Sequence, residues 1–111
     1  MLPKEDRLTT GQFDLVMKKG RVFNSSLFLA RVIVLPGKAK LAAVVPQKIA
    51  KTAVGRNKLR RSMYIAMEPY IDGIVDDRQA IIFAKSLAVG AEQSVLVKDM
   101  KEIFVKSGLL K

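Results

Sequence analysis

The sequence predicts an α+β domain, a small sheet with helices packed on it as a two-layer sandwich. Three observations carry this. Helical and strand periodicities alternate in short segments, in the order helix, strand, strand, helix, strand, helix. The chain has 111 residues, one domain's worth, which sets a single unit over 1–111. Half of the residues are apolar, enough to build a core, although a thin one at this size. No internal repeat, low-complexity tract or linker interrupts the pattern.

The first helix spans Thr10–Lys19, with Thr9 or Thr10 as N-cap and Gly20 as stop; Phe13, Val16 and Met17 fall on one face. Residues 27–35 are rich in branched and aromatic side chains and end at Pro36-Gly37, a turn signal. Residues 40–45 then read as the second half of a hairpin, closed by Pro46. A long helix is expected over 51–70, because Leu59, Met63, Ala66, Met67 and Tyr70 recur at core spacing before Pro69 and Gly73 end it. Residues 79–84 form a buried-strand candidate. A last helix over 94–107 aligns Val97, Met100, Ile103 and Phe104 and stops at Gly108.

Charge is the strongest functional signal. The net charge is +10, and from residue 15 to residue 67 there are twelve Lys and Arg and not one Asp or Glu. Ordinary solvated surfaces mix signs to limit self-repulsion, so a long single-sign stretch calls for a polyanion, foremost nucleic acid. The chain has no Cys and no His, which excludes disulfides, thiolate metal sites, cysteine nucleophiles and the Ser-His-Asp arrangement. Neither a signal-peptide run nor an apolar stretch of about 18 residues is present, so a cytoplasmic protein with no membrane association is expected. Ser25, Ser26 and Ser62 have no partner base in the sequence. Asp72, Asp76 and Asp77 are the acids that a metal-dependent nuclease would need, but acids around a glycine between elements read more simply as a solvated turn. No protein catalytic residue and no metal ligand is assigned.

The informative constellation is Arg56-Asn57-Lys58-Leu59-Arg60-Arg61, at the start of the long helix. At about 100° per residue, Asn57, Arg60, Arg61 and Tyr64 form a polar band beside the core stripe, and Arg56 adjoins it one turn from Arg60. Guanidinium forks bind phosphate bidentately, and Asn offers donor and acceptor together to a 2′-hydroxyl or base edge. Lys48 and Lys51, just ahead of the positive helix end, add to this anion-binding surface. A second surface lies between sheet and first helix, where Phe13 and Phe28 are either stacking platforms for single-stranded bases or plain core, with Arg31 and Lys18 or Lys19 nearby.

These residues resemble the protein component of bacterial ribonuclease P. The match begins with Leu2-Pro3-Lys4 and Arg7-Leu8 and continues through Phe13, Val16, Gly20 and Phe28. Its strongest part is Lys48-Ile49, Lys51, Ala53-Val54, Arg56-Asn57 and Leu59-Arg60-Arg61, against a family signature of Ala-Val-x-Arg-Asn-Arg, an aliphatic residue and two basic ones. Gly108-Leu109-Leu110 fits as well. The resemblance implies a sandwich of the ribosomal protein S5 domain 2-like kind with a left-handed β-α-β crossover, a hand that chain physics alone disfavours. It also implies the basic protein subunit of a ribonucleoprotein that removes the 5′ leader of precursor tRNA, with catalysis by the RNA subunit and its Mg²⁺. Partners would then be ribonuclease P RNA and precursor tRNA, with no protein partner. By the same resemblance Arg56, Asn57, Lys58, Arg60, Arg61, Lys48, Lys51 and Tyr64 would bind the catalytic RNA, and Phe13, Met17, Phe28 and Arg31 would form the leader cleft. The chain departs from the family pattern at Lys58 and Tyr64, which stand for Arg, at Met17 and Arg31, which stand for aromatics, and at Pro46-Gln47 in place of Ser-Lys. The alternative class is a small ribosomal or tRNA-binding protein with no role in cleavage.

Overall fold

The computed structural model describes residues 7–110, so the Leu2-Pro3-Lys4 part of the resemblance lies outside the described residues. Three helices, α1 (Thr10–Lys19), α2 (Ala53–Met67) and α3 (Gln93–Lys106), accompany four strands, β1 (Arg21–Asn24), β2 (Phe28–Val34), β3 (Lys40–Val44) and β4 (Arg78–Ala84). The strands form one sheet in the order β1-β2-β4-β3. β1 pairs with β2 and β2 with β4 in antiparallel fashion, and β3 lies parallel to β4. α2 is thus the crossover of a β3-α2-β4 unit between adjacent parallel strands.

α1 begins in a capping box: the Gln12 N–H donates to Thr9 Oγ1 at 3.3 Å and the Thr9 N–H to Gln12 Oε1 at 2.9 Å. Lys18 and Lys19 sit in its last turn, where the helix dipole favours cations. Thr52 caps α2 by accepting from the Gly55 N–H at 3.0 Å. No acid sits in that first turn, so the helix itself does not compensate its positive end. The expected helix over 51–70 is shorter, because Pro69 cannot continue the hydrogen-bond ladder; Glu68–Gly73 is a 3₁₀ helix instead. α3 closes at Gly108, which has φ 80°, and the Leu109 N–H returns to the Phe104 carbonyl at 2.9 Å.

The hairpin expected across Pro36-Gly37 does not form, because β4 lies between β2 and β3. Residues 35–39 are clamped to the entry of β4 instead. The Leu35 N–H donates to the Asp77 carbonyl at 3.0 Å and the Asp77 N–H to the Gly37 carbonyl at 2.8 Å. The Asp77 carboxylate accepts from the Gly37 N–H at 2.8 Å, and that of Asp76 from the Ala39 N–H at 3.2 Å. These two acids are therefore turn acceptors, with Asp77 itself at φ 64°.

Strand alternation divides the sheet into two faces. Phe28, Ala30 and Val32 of β2, Leu41 and Ala43 of β3, and Ala80, Ile82 and Ala84 of β4 pack with Met63, Ala66 and Met67 of α2 and Met100, Ile103 and Phe104 of α3 in the main core. Tyr70 meets Phe104 edge-on, with ring centroids 6.2 Å apart. α1 lies on the other face, where Val16 and Ile81 are both fully buried. Because α1 is only ten residues long, it covers part of that face and leaves the rest open. Among the described residues no helix is long and apolar enough to cross a membrane.

Candidate nucleic-acid interface

The polar band expected on α2 exists. Asn57, Arg60, Arg61 and Tyr64, joined by Ile65, line one groove of about 300 Å³. A second, of about 290 Å³, runs between the β3 edge and the start of α2 and takes in Ala43, Val44, Val45, Arg56, Asn57 and Arg60. Arg60 donates to Asn57 Oδ1 at 2.7 Å, which fixes the two side chains as a pair. Among the described residues, no carboxylate lies within ion-pair reach of Arg60 or Arg61. Both are exposed, so their remaining donors face solvent.

Three members of the set do other work as well. Arg56 turns back and donates to the carbonyls of Ala50 at 3.1 Å and Lys51 at 3.0 Å, bracing the loop that leads into α2. The Tyr64 hydroxyl accepts from the Ala43 N–H at 3.1 Å, filling a backbone donor on the outer edge of β3, where Arg7 also bridges to Leu41. Lys48 lines the cleft on the other face. Lys51 and Lys58 are exposed and line neither α2 groove.

The uncovered part of the α1 face is a cleft of about 570 Å³. Met17 and Arg31 line it as expected; Arg31 Nη1 donates to the Met17 carbonyl at 3.1 Å, tying β2 to α1. Phe28 does not line it. That ring is fully buried on the opposite face of the sheet, against α2 and α3, and is core. Phe13 is half-buried and is not among the lining side chains. The cleft instead holds Leu29 and Phe83 on its floor strands and Pro46, Lys48, Ile49, Lys85 and Leu87 around them. Phe83, Leu29, Lys85 and Leu87 were not singled out from the sequence. Strand parity was the available signal: Phe28 and Arg31 differ by an odd number of residues, so one strand cannot aim both at the same face.

Ser25 also has a partner that the sequence did not reveal. Its hydroxyl donates to Asp99 Oδ2 at 2.6 Å, and the Leu27 N–H donates to the same oxygen at 3.0 Å. Lys85 Nζ donates to the Ser25 carbonyl at 2.7 Å. The group lies beneath the β1–β2 turn and holds that turn to α3.

The Ribonuclease P family model matches residues 2–108. The ribonuclease P protein component of Prochlorococcus marinus (strain NATL1A) is 29% identical over 127 residues, covering 100% of this chain and 99% of that one. Among solved structures, a mutant of the Staphylococcus aureus RNase P protein superposes with a TM-score of 0.83 at 18% identity, covering 96% of this chain and 92% of its own. The RNase P protein from Thermotoga maritima gives 0.78 at 16% identity, with 95% and 98% covered. At those identities the likeness speaks to the fold: one four-stranded sheet with three helices.

Proposed function

Because the chain belongs to the ribonuclease P protein family, a component of a tRNA-processing endoribonuclease holoenzyme with an RNA partner, we propose that it is the cytoplasmic RNA-binding subunit that holds the catalytic RNA through α2 and the 5′ leader of precursor tRNA in the α1 cleft. The observation that carries this is the Asn57-Arg60-Arg61-Tyr64 surface: donors that no carboxylate among the described residues neutralises, beside a helix N-terminus with no acid in its first turn. Such a surface attracts phosphate, and Asn57 adds donors suited to a base edge or a 2′-hydroxyl. On this reading the RNA subunit and its Mg²⁺ supply the hydrolysis. The protein's part is electrostatic and positional: it offsets phosphate repulsion between two RNAs and keeps the leader single-stranded against the sheet. Among the described residues no group of three His, Cys, Asp or Glu is arranged to hold a metal ion, and Asp76 and Asp77 are engaged with backbone N–H groups.

The deciding experiment is reconstitution. The full chain added to a bacterial ribonuclease P RNA at low Mg²⁺ is expected to restore leader cleavage. Binding to the RNA without any gain in cleavage overturns the proposal and leaves a plain RNA-binding protein.

A further inference from the structure

β4 is a central strand, flanked by β2 and β3. Ile81 and Ile82 are fully buried and Ala84 is 3% exposed, yet Phe83 between them remains partly open to solvent. An aromatic ring left accessible in the middle of a sheet is a surface for something planar, since burying it against a longer first helix would be the simpler way to stabilise the fold. Its register partners are Leu29 on β2 and Val44 on β3, so the floor around the ring is aliphatic. Three cations, Arg31, Lys48 and Lys85, line the same cleft, and among the described residues no Asp or Glu does. Arg31 is two residues along β2 from Leu29, which puts it about 7–8 Å diagonally from Phe83. Lys48 makes no hydrogen bond within the described residues and keeps all three donors.

We propose that Phe83 is the stacking platform for one unpaired nucleobase of the leader, with Arg31 and Lys48 taking the phosphates on either side of it. The inference rests on the leader-binding reading of the cleft and deepens it: it assigns the base contact to β4, where α1 and β2 offer Met17 and Leu29. A flat apolar floor with cations and no carboxylate selects a group that is planar on one part and anionic on another, which describes a single-stranded nucleotide. Stacking of this kind tolerates any base, so the site would fix the path of the leader more than its sequence.

The test uses the full chain reconstituted with ribonuclease P RNA. It measures affinity for precursor tRNAs that each carry one abasic nucleotide at successive leader positions, and for leaderless tRNA. With the unmodified protein, one leader position is expected to lose about tenfold in affinity when its base is absent. Phe83→Leu, which keeps an apolar strand residue and is checked for an unchanged melting curve, should lose about tenfold on the intact leader. It should show no further loss at that abasic position, and it should bind leaderless tRNA as before. Phe83→Trp should restore the position-dependent penalty. The inference is overturned if Phe83→Leu binds the intact leader as tightly as the unmodified protein and keeps the abasic penalty. If the unmodified holoenzyme does not distinguish precursor from leaderless tRNA, the leader-binding reading fails first and this inference goes with it, an outcome recognisable without any variant.

Discussion

Arg56 and Arg60 stand one turn apart on α2 and are engaged differently. Arg60 holds Asn57 and otherwise faces solvent, whereas Arg56 ties down the carbonyls of Ala50 and Lys51. Arg60→Ala is therefore expected to weaken binding to ribonuclease P RNA by about 1–3 kcal/mol, the scale of charge-assisted hydrogen bonds, with no change in unfolding midpoint. Arg56→Ala should lower both affinity and midpoint, because a loop brace goes with it. Filter-binding titrations beside urea unfolding separate the two, and equal midpoints for both variants would remove the bracing role. Asp99 poses the same kind of question in the core. Its Oδ2 is the acceptor for a buried hydroxyl and a buried N–H, so Asp99→Ala should cost about 1–3 kcal/mol, read as a lower unfolding midpoint with RNA affinity per folded molecule unchanged. The basic residues on α2 were legible in the sequence because helical periodicity states which side chains share a face. The aromatic of the cleft was not, since Phe28 and Phe83 both lie in apolar strands where either face is plausible, and Arg31 was the one charged marker of parity. Asp99 stayed hidden because its partners are 74 and 72 residues away in sequence.

At the scale of elements, the helices and the existence of three strands followed from local pattern, while their pairing did not. Pro36-Gly37 between two apolar runs is a hairpin signal, but the most fully buried strand, β4, takes the place beside both β2 and β3. No local signal encodes that insertion; the acceptors that enforce it, Asp76 and Asp77, belong to a different part of the chain. β1 escaped notice for a simpler reason. It is four residues long and mostly exposed, so it carries no alternation to read. Its position depends on the turn out of α1. Gly20 sits there with φ −67°, so left-handed backbone is not what requires glycine. Close approach is: a Cβ would lie 2.5 Å from the Val16 carbonyl oxygen and 3.3 Å from the Val32 N. Gly20→Ala should push α1 off the sheet at a cost of about 1–3 kcal/mol, the usual range for overpacking. Because Arg31 ties β2 to the Met17 carbonyl, the same change should loosen the cleft and, if the cleft holds the leader as proposed, reduce binding of precursor relative to leaderless tRNA. A melting temperature equal to that of the unmodified chain would contradict the close-approach argument.

For the whole molecule the governing fact is a net charge of +10 on 111 residues, concentrated in the middle half of the chain, with Arg60 and Arg61 facing solvent without ion pairs among the described residues. Self-repulsion of this kind opposes the compact state, and the core that resists it is thin. An anion that binds the folded chain and not the unfolded one must then raise stability with the logarithm of its concentration once that concentration exceeds its Kd. Two consequences follow for measurement. The logarithm of affinity for RNA should fall linearly with the logarithm of salt concentration, because each neutralised phosphate releases counterions; a flat response between low and moderate salt would sink the electrostatic account. In the absence of RNA, sulfate should raise the melting temperature above that in chloride at equal ionic strength. Sulfate also strengthens hydrophobic burial in general, so the bare increase is not diagnostic. The discriminating comparison is a chain carrying both Arg60→Ala and Arg61→Ala. If sulfate acts by occupying the α2 surface, the sulfate-dependent part of the increase should shrink in that variant, while the part shared with other excluded solutes, such as sucrose, stays the same. An undiminished sulfate increment in the double variant would mean that the stabilising anions sit elsewhere on the basic half of the chain, and that the α2 surface is not where charge limits the fold.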